Sequence, residues 1–164
     1  DDLAFENTFT YSKFYSPNEN AILSFRFLAQ SINSLSDEDV RISKRIYLPN
    51  KRLKGFEFGK IGPKDGQDYI GGNYATALNF ATTLPGLLRD LETIDFSFFV
   101  DSGNVWGVDY SDTIDDSSKI RSSTGLAVDW LTPIGPLTFS FAKPITKADS
   151  DRTETFRFDI GTTF

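Results

Sequence analysis

The chain has 164 residues, of which 39% are hydrophobic, 24% charged and 15% aromatic, with 16 Phe. That length suits one domain, and a net charge of −6 argues against nucleic acid as a partner. With no Cys and no His, disulfides, thiolate metal sites, cysteine nucleophiles and the commonest general base are excluded; no metal and no cofactor is expected.

No apolar run reaches the ~18 residues of a membrane helix. The opening DDLAFENTF carries no signal-peptide pattern. The chain contains no Met, which reads as a processed or excised piece of something longer.

From the N-terminus, the dominant period is two. From Leu3 to Tyr15, Leu3, Phe5, Phe9, Tyr11 and Tyr15 share one parity, against Ala4, Glu6, Thr8, Thr10 and Ser12. From Ala21 to Ser31, Leu23, Phe25, Phe27 and Ala29 oppose Ser24, Arg26 and Gln30. The period then disappears from Ile32 to Gly72. Within that gap lies KRLKGFEFGKIGPKDGQDYIGG, Lys51 to Gly72, which is basic, aromatic and rich in glycine. A compact domain rarely keeps so long a loop unless it works or is disordered. Leu53, Phe56, Phe58, Ile61, Tyr69 and Ile70 are too apolar for a solvated linker.

Alternation returns at Tyr74. Leu78, Phe80 and Leu84 oppose Asn73, Ala75, Ala77 and Asn79; Ile94, Phe96, Phe98 and Val100 oppose Asp95, Ser97, Phe99 and Asp101. Leu126, Val128 and Trp130 oppose Gly125, Ala127 and Asp129, and Leu137, Phe139 and Phe141 oppose Thr138, Ser140 and Ala142. In the last run Phe156, Phe158, Ile160 and Phe164 oppose Thr155, Arg157, Asp159, Gly161 and Thr163.

These are seven strands of roughly ten residues, each with one bulky apolar face. Arg26, Asp95, Asp101, Asp129, Arg157 and Asp159 fall on the opposite face. Greasy outside and charged inside fits a membrane barrel around a wet lumen; alternation alone fits a soluble sandwich equally well. The connections discriminate. SPNE, PGLLRDLE and PIGP are short and alternate with longer links, as outer-membrane barrels alternate short periplasmic turns with outer loops. A lone seven-strand sheet would leave two open edges in lipid, so these read as the last strands of a larger barrel. In one outer loop, Asp109, Asp112, Asp115 and Asp116 match no calcium-loop spacing and read as a solvated acidic loop. Arg26, Arg157, Asp129 and Asp159 read as lumen salt-bridge candidates.

The pattern resembles the C-terminal part of the BamA-type family of bacterial outer-membrane β-barrel assembly factors. LKGFEF is similar to that family's loop motif [VI]-R-G-[FY], IGPKDGQDYIGGNY to the family's segment just C-terminal to the motif, and FFVDSGNVW to a strand carrying F-x-D-x-G. GLAVDWLTPIGPLTFSFAKPI and RFDIGTTF resemble its last three strands.

The resemblance implies an all-β fold, an antiparallel transmembrane β-barrel. Residues 1–164 would be the C-terminal strands of a sixteen-stranded outer-membrane barrel, with a lumen-inserted loop at about 33–73. It implies that Lys54, Gly55 and Phe56 form the loop motif, and that Phe99, Asp101 and Gly103 are its partners on the lumen wall. Lys54 stands where the family has Arg, which loses the planar fork; Lys51, Arg52 and Arg45 are the alternative partners for Asp101. Phe156, Phe158, Ile160 and Phe164 resemble a C-terminal strand signal. The implied function is non-catalytic assembly and insertion of β-barrel proteins into the bacterial outer membrane. The implied partners are outer-membrane lipid, unfolded barrel substrates and, through N-terminal domains outside this chain, accessory assembly lipoproteins. The isolated piece is expected to self-associate through open strand edges. A secretion transporter of the same superfamily and a passive outer-membrane pore are the alternatives; an enzyme is disfavoured because the chain has no His.

Overall fold

The computed structural model describes residues 3–161. Nine strands occur among them: β1 (Ala4–Asn18), β2 (Ala21–Ser34), β3 (Lys64–Asp65), β4 (Asp68–Tyr69), β5 (Tyr74–Leu84), β6 (Ile94–Trp106), β7 (Arg121–Thr132), β8 (Gly135–Thr146) and β9 (Phe156–Ile160). Seven build one antiparallel sheet in the order β1-β2-β5-β6-β7-β8-β9, and β3 and β4 form a separate small hairpin. The sheet is a meander of neighbours in sequence, and it is open, with β1 and β9 as its edges. The seven runs of period-two alternation are these seven strands. Several run further than the alternation suggests: β1 continues to Asn18, and β8 already begins at Gly135.

The reason for the early start of β8 is its turn. Thr132 pairs with Gly135, so Pro133 and Ile134 alone make the reversal. Gly135 takes φ +121, a region open to glycine and strained for other residues. Pro136 then sits inside the strand opposite Leu131.

The two faces of the sheet differ as the alternation requires. Phe5, Phe9, Phe80, Phe98, Phe141 and Phe158 are among the large apolar side chains exposed on one face. That face is bare. Cross-strand ring contacts stitch it, such as Phe25–Phe80 at 4.9 Å and Phe139–Phe158 at 5.1 Å between centroids.

The other face is covered by the β2–β5 connection. Its core draws Leu28, Ile32, Ala75, Ala77 and Val105 from the strands, and Val40, Ile46, Leu48, Leu53, Phe56 and Ile61 from the connection. A sheet buries an apolar face only against a second layer, and here an irregular segment is that layer. The connection begins after Ser34, where β2 ends. It contains two single 3₁₀ turns, Ile42–Lys44 and Asn50–Arg52, besides the β3–β4 hairpin. Its backbone is tied back to itself by Ile46 and Gly72, which exchange N–H···O bonds of 2.8 and 3.0 Å. Small wall residues let it approach: a Cβ on Gly103 would lie 2.8 Å from Leu48 Cδ2.

Leu53 is 2% exposed and Phe56 2% exposed, so the covering layer depends on them. Leu53→Ala is predicted to destabilise the folded sheet by about 2–4 kcal/mol, read as a lower urea midpoint. It should also expose residues 35–73 to protease before the strands unfold.

Candidate functional site

The Asn50–Arg52 turn delivers the next three residues onto the covered face. They dock on a single rung of the sheet. Asn79, Asp101 and Ser123 lie directly opposite one another on β5, β6 and β7. Asp101, 0% exposed, accepts from Lys54 Nζ at 2.8 Å and from the Lys54 backbone N–H at 3.0 Å, both at Oδ2. Its Oδ1 accepts from Asn79 Nδ2 at 2.8 Å. Asn79 Nδ2 also donates to Arg52 O at 2.8 Å, and the Ser123 hydroxyl donates to Lys54 O.

The wall therefore engages the connection mainly through its backbone: Arg52 O, Lys54 N–H and Lys54 O each find a partner on one rung. A buried carboxylate is tolerable only when paired and hydrogen-bonded, and the Lys54 ammonium, the Lys54 N–H and the Asn79 amide supply that.

Lys54 Nζ also lies 4.2 Å from the centre of the Phe99 ring, a cation–π contact. Phe99 needs space on the wall: a Cβ on Gly125 would fall 2.8 Å from Phe99 Cζ. Gly55 takes φ +95, and a Cβ there would lie 3.0 Å from Ala142 Cβ. Phe56 comes next, buried, in a bridge with Thr153. Gly103 receives Leu48, not Lys54. Beside Lys54 the covered face opens into a polar cleft of about 260 Å³ that includes Arg26, Lys51, Asp129, Thr138 and Asp159.

Two of the other cations named in the sequence bond other side chains. Arg52 donates to Asn79 Oδ1 at 3.4 Å. Arg45, buried at the root of the connection, donates to Asn73 Oδ1 at 2.8 Å and pairs with Asp109. Asp109 also accepts from Val40 N–H at 2.7 Å. Burial pushes the Asp109 carboxyl up, but donors from Val40, Arg45 and Asn73 outweigh it and hold it below the usual carboxylate range.

Alternation gave no sign of a third cluster. Arg121, 0% exposed, makes five hydrogen bonds. Two run at 2.8 Å to the two oxygens of Asp151, and one each goes to Asp116 Oδ2, Asn104 Oδ1 and Lys119 O. It binds β6, the β6–β7 loop and the β8–β9 loop together.

The acidic loop is accordingly not a merely solvated one. Asp109 and Asp116 hold arginines, and Asp115 accepts from Gly107 N–H at 2.8 Å. Among the described residues no acidic group is arranged to hold a metal ion. Of the expected lumen salt bridges, Arg157 pairs with Asp159 at 2.9 Å and Glu154 at 3.2 Å. Asp129 instead accepts from Thr138 at 2.6 Å, and Arg26 lies 5.5 Å from the Phe14 ring centre. On β9, Phe156, Phe158 and Ile160 are exposed on the bare face; Phe164 lies outside the described residues.

Comparison with known proteins places this arrangement. The Omp85 superfamily domain matches residues 2–164. The chain is 32% identical over 140 residues to the outer membrane protein assembly factor BamA of Neisseria meningitidis serogroup B, covering 68% of this chain and 17% of that protein. It is 29% identical over 150 residues to BamA of Neorickettsia risticii, covering 90% and 20%. A SAM50-like protein of Schizosaccharomyces pombe is 26% identical over 162 residues, covering 88% and 33%. The crystal structure of BamA from Haemophilus ducreyi lacking POTRA domains 1–3 superposes with a TM-score of 0.85 at 28% identity, over 94% of this chain and 34% of that one. The chain thus spans about a third or less of the length of these relatives.

The geometry predicts two outcomes. Lys54→Ala leaves Asp101 charged and buried, and should cost about 3 kcal/mol in unfolding free energy; Lys54→Arg should retain most of it. For Asp109 the folded value lies below the unfolded one. Its stabilisation is therefore full above the ordinary carboxylate value and is lost as pH falls through the lowered one. Protease sensitivity of residues 35–45 should rise as pH falls through and below the ordinary carboxylate range, and Asp109→Asn should abolish that step.

Proposed function

The chain belongs to the Omp85 superfamily, and on that premise we propose that it serves in the assembly and insertion of β-barrel proteins into the bacterial outer membrane. Residues 1–164 are read as the C-terminal part of a sixteen-stranded barrel domain, with the bare face toward lipid and the covered face toward the lumen. The observation that carries the reading is the likeness of the whole sheet, with its covering connection, to a BamA barrel. The names of the bacterial relatives, assembly factors both, point the same way.

The work is physical and non-catalytic. Lys54, Gly55 and Phe56 dock the connection on the wall through Asp101 and Phe99, and this brace keeps the lumen side of the sheet in one shape. Phe156, Phe158 and Ile160 give β9 an apolar face toward lipid. Beyond β9 lies a row of backbone groups free to pair. An incoming unfolded strand adds there by main-chain hydrogen bonds, with its side chains sorted to lipid and lumen by alternation. The partners are outer-membrane lipid, unfolded barrel substrates and, through N-terminal domains of the full-length protein, accessory lipoproteins. Taken alone, the piece self-associates through its β1 and β9 edges.

The test uses the full-length protein in lipid vesicles, supplied with a small urea-unfolded outer-membrane barrel. Folding is monitored by heat-resistant gel mobility. The expected result is folding several-fold faster than in empty vesicles, and slower again with Lys54→Ala. Steady ion conductance without acceleration would assign a passive pore instead. Export of a soluble passenger would assign a secretion transporter.

A further inference from the structure

The last strand is shorter than its neighbour allows. β8 runs from Gly135 to Thr146, whereas β9 covers only Phe156–Ile160. Their register pairs Leu137 with Ile160 and Phe141 with Phe156, and Ala142 N–H donates to Thr155 O at 2.9 Å. Continued outward, that register would place Glu154 against Lys143, Thr153 against Pro144 and Arg152 against Ile145. None of these pairs forms.

Residues 152 and 154 bond the long connection through their backbone. Glu154 N–H donates to Gly55 O at 3.0 Å, Glu57 N–H to Arg152 O at 3.0 Å, and Arg152 N–H to Lys60 O at 3.1 Å. Thr153 bridges Phe56 between them. Two side chains hold the preceding residues the same way: Arg121 grips Asp151, and the Tyr69 hydroxyl donates to Ser150 O.

β8 carries a matching feature. Alternate residues of a strand send their N–H groups to the same neighbour. Ala142 donates toward β9, so the donor at position 144 would point the same way. That residue is Pro144, which has none.

We propose that the docked connection, acting through the backbone of residues 55–60, and Pro144 together hold residues 152–154 off β8 and so set the length of the last strand. Glu154, Thr153 and Arg152 are positioning residues for the β9 edge. In the continued register the groups of residues 152 and 154 that bond the connection face away from β8, so the connection acts by fixing where this segment lies, not by taking bonds that β8 would make. The motif at Lys54 sets that position, because Gly55 is the very next residue after the one anchored to Asp101. The inference rests on the reading that an incoming strand pairs at this edge: a short β9 limits how many ladder bonds the edge offers and how firmly it is held to β8.

The experiment is a disulfide between Lys143→Cys and Glu154→Cys in the full-length protein in native outer membranes. It is measured in four backgrounds: otherwise wild type, Lys54→Ala, Pro144→Val, and both. Leu137→Cys with Ile160→Cys, a pair in register in the structure, reports separately that β9 is in place. The expected result is little 143–154 crosslink in the first background, a several-fold rise with Lys54→Ala, and the largest yield in the double variant. The 137–160 crosslink should stay constant throughout. A 143–154 yield that is equal in all four backgrounds, high or low, overturns the proposal. So does loss of the 137–160 crosslink with Lys54→Ala, which would mean that the connection supports β9 without shortening it. These crosslinks read geometry, not assembly. If they behave as expected while the vesicle assay fails, the functional reading falls and this one stands.

Discussion

A carboxylate with no access to water, Asp101, is the constraint around which the covered face is organised. It sits in mid-sheet, where an unpaired charge would cost several kcal/mol. The β2–β5 connection brings a cation and a backbone donor to it. Satisfying Asp101 therefore fixes Lys54, and fixing Lys54 places Leu53 in the apolar layer on one side and Phe56 on the other. Asn79 and Ser123, flanking Asp101 on the same rung, make that placement a matter of backbone geometry as well as charge. This is why a Lys serves at a position where the resemblance leads one to expect Arg. The lost guanidinium fork matters less when the wall also holds the main chain on both sides of the side chain.

This anchor also sets the order of the outer loops. The connection, fixed at Lys54, carries residues 55–60 to the β8–β9 loop. Arg121 holds that loop from the opposite side through Asp151, and Arg45 ties the root of the connection to the β6–β7 loop through Asp109. Two buried arginines and one half-covered lysine thus bind three irregular segments to one regular sheet. Each contact exchanges water for charge-assisted hydrogen bonds, and each is lost whole if one partner goes. The bare face has the opposite character: its rings touch one another across strands, no second layer covers them, and they are suited to an apolar surrounding.

The strands and their faces are legible in the sequence because a sheet with one apolar face writes period two into the chain, and turn residues such as Gly135 and Pro133 punctuate it. Lys54, Phe99 and Asp101 stand out because their motifs resemble those of a known family, and the structure brings these three together. Asn79 and Ser123 do not stand out, since a small polar residue on an alternating strand looks the same whether it faces water or a docked backbone. Sequence spacing does not reveal that they share a rung with Asp101; only register does. Arg121 and Asp151 escape notice for a similar reason. They lie at strand and loop ends, far apart in the chain, where periodicity carries no information. The acidic loop reads as solvated in the sequence because its charges find arginines that are distant along the chain.

The account stands on the docking of the connection against the wall at Asp101. The most direct test is a disulfide between Lys54→Cys and Asp101→Cys in the full-length protein in native outer membranes. Replacing both charges together leaves neither one stranded, and the chain itself contains no other Cys. The account predicts a high crosslink yield and protection of residue 54 from an impermeant thiol reagent added from outside. No crosslink, with residue 54 labelled readily from outside, would show the connection to be an exposed surface loop and would contradict the account.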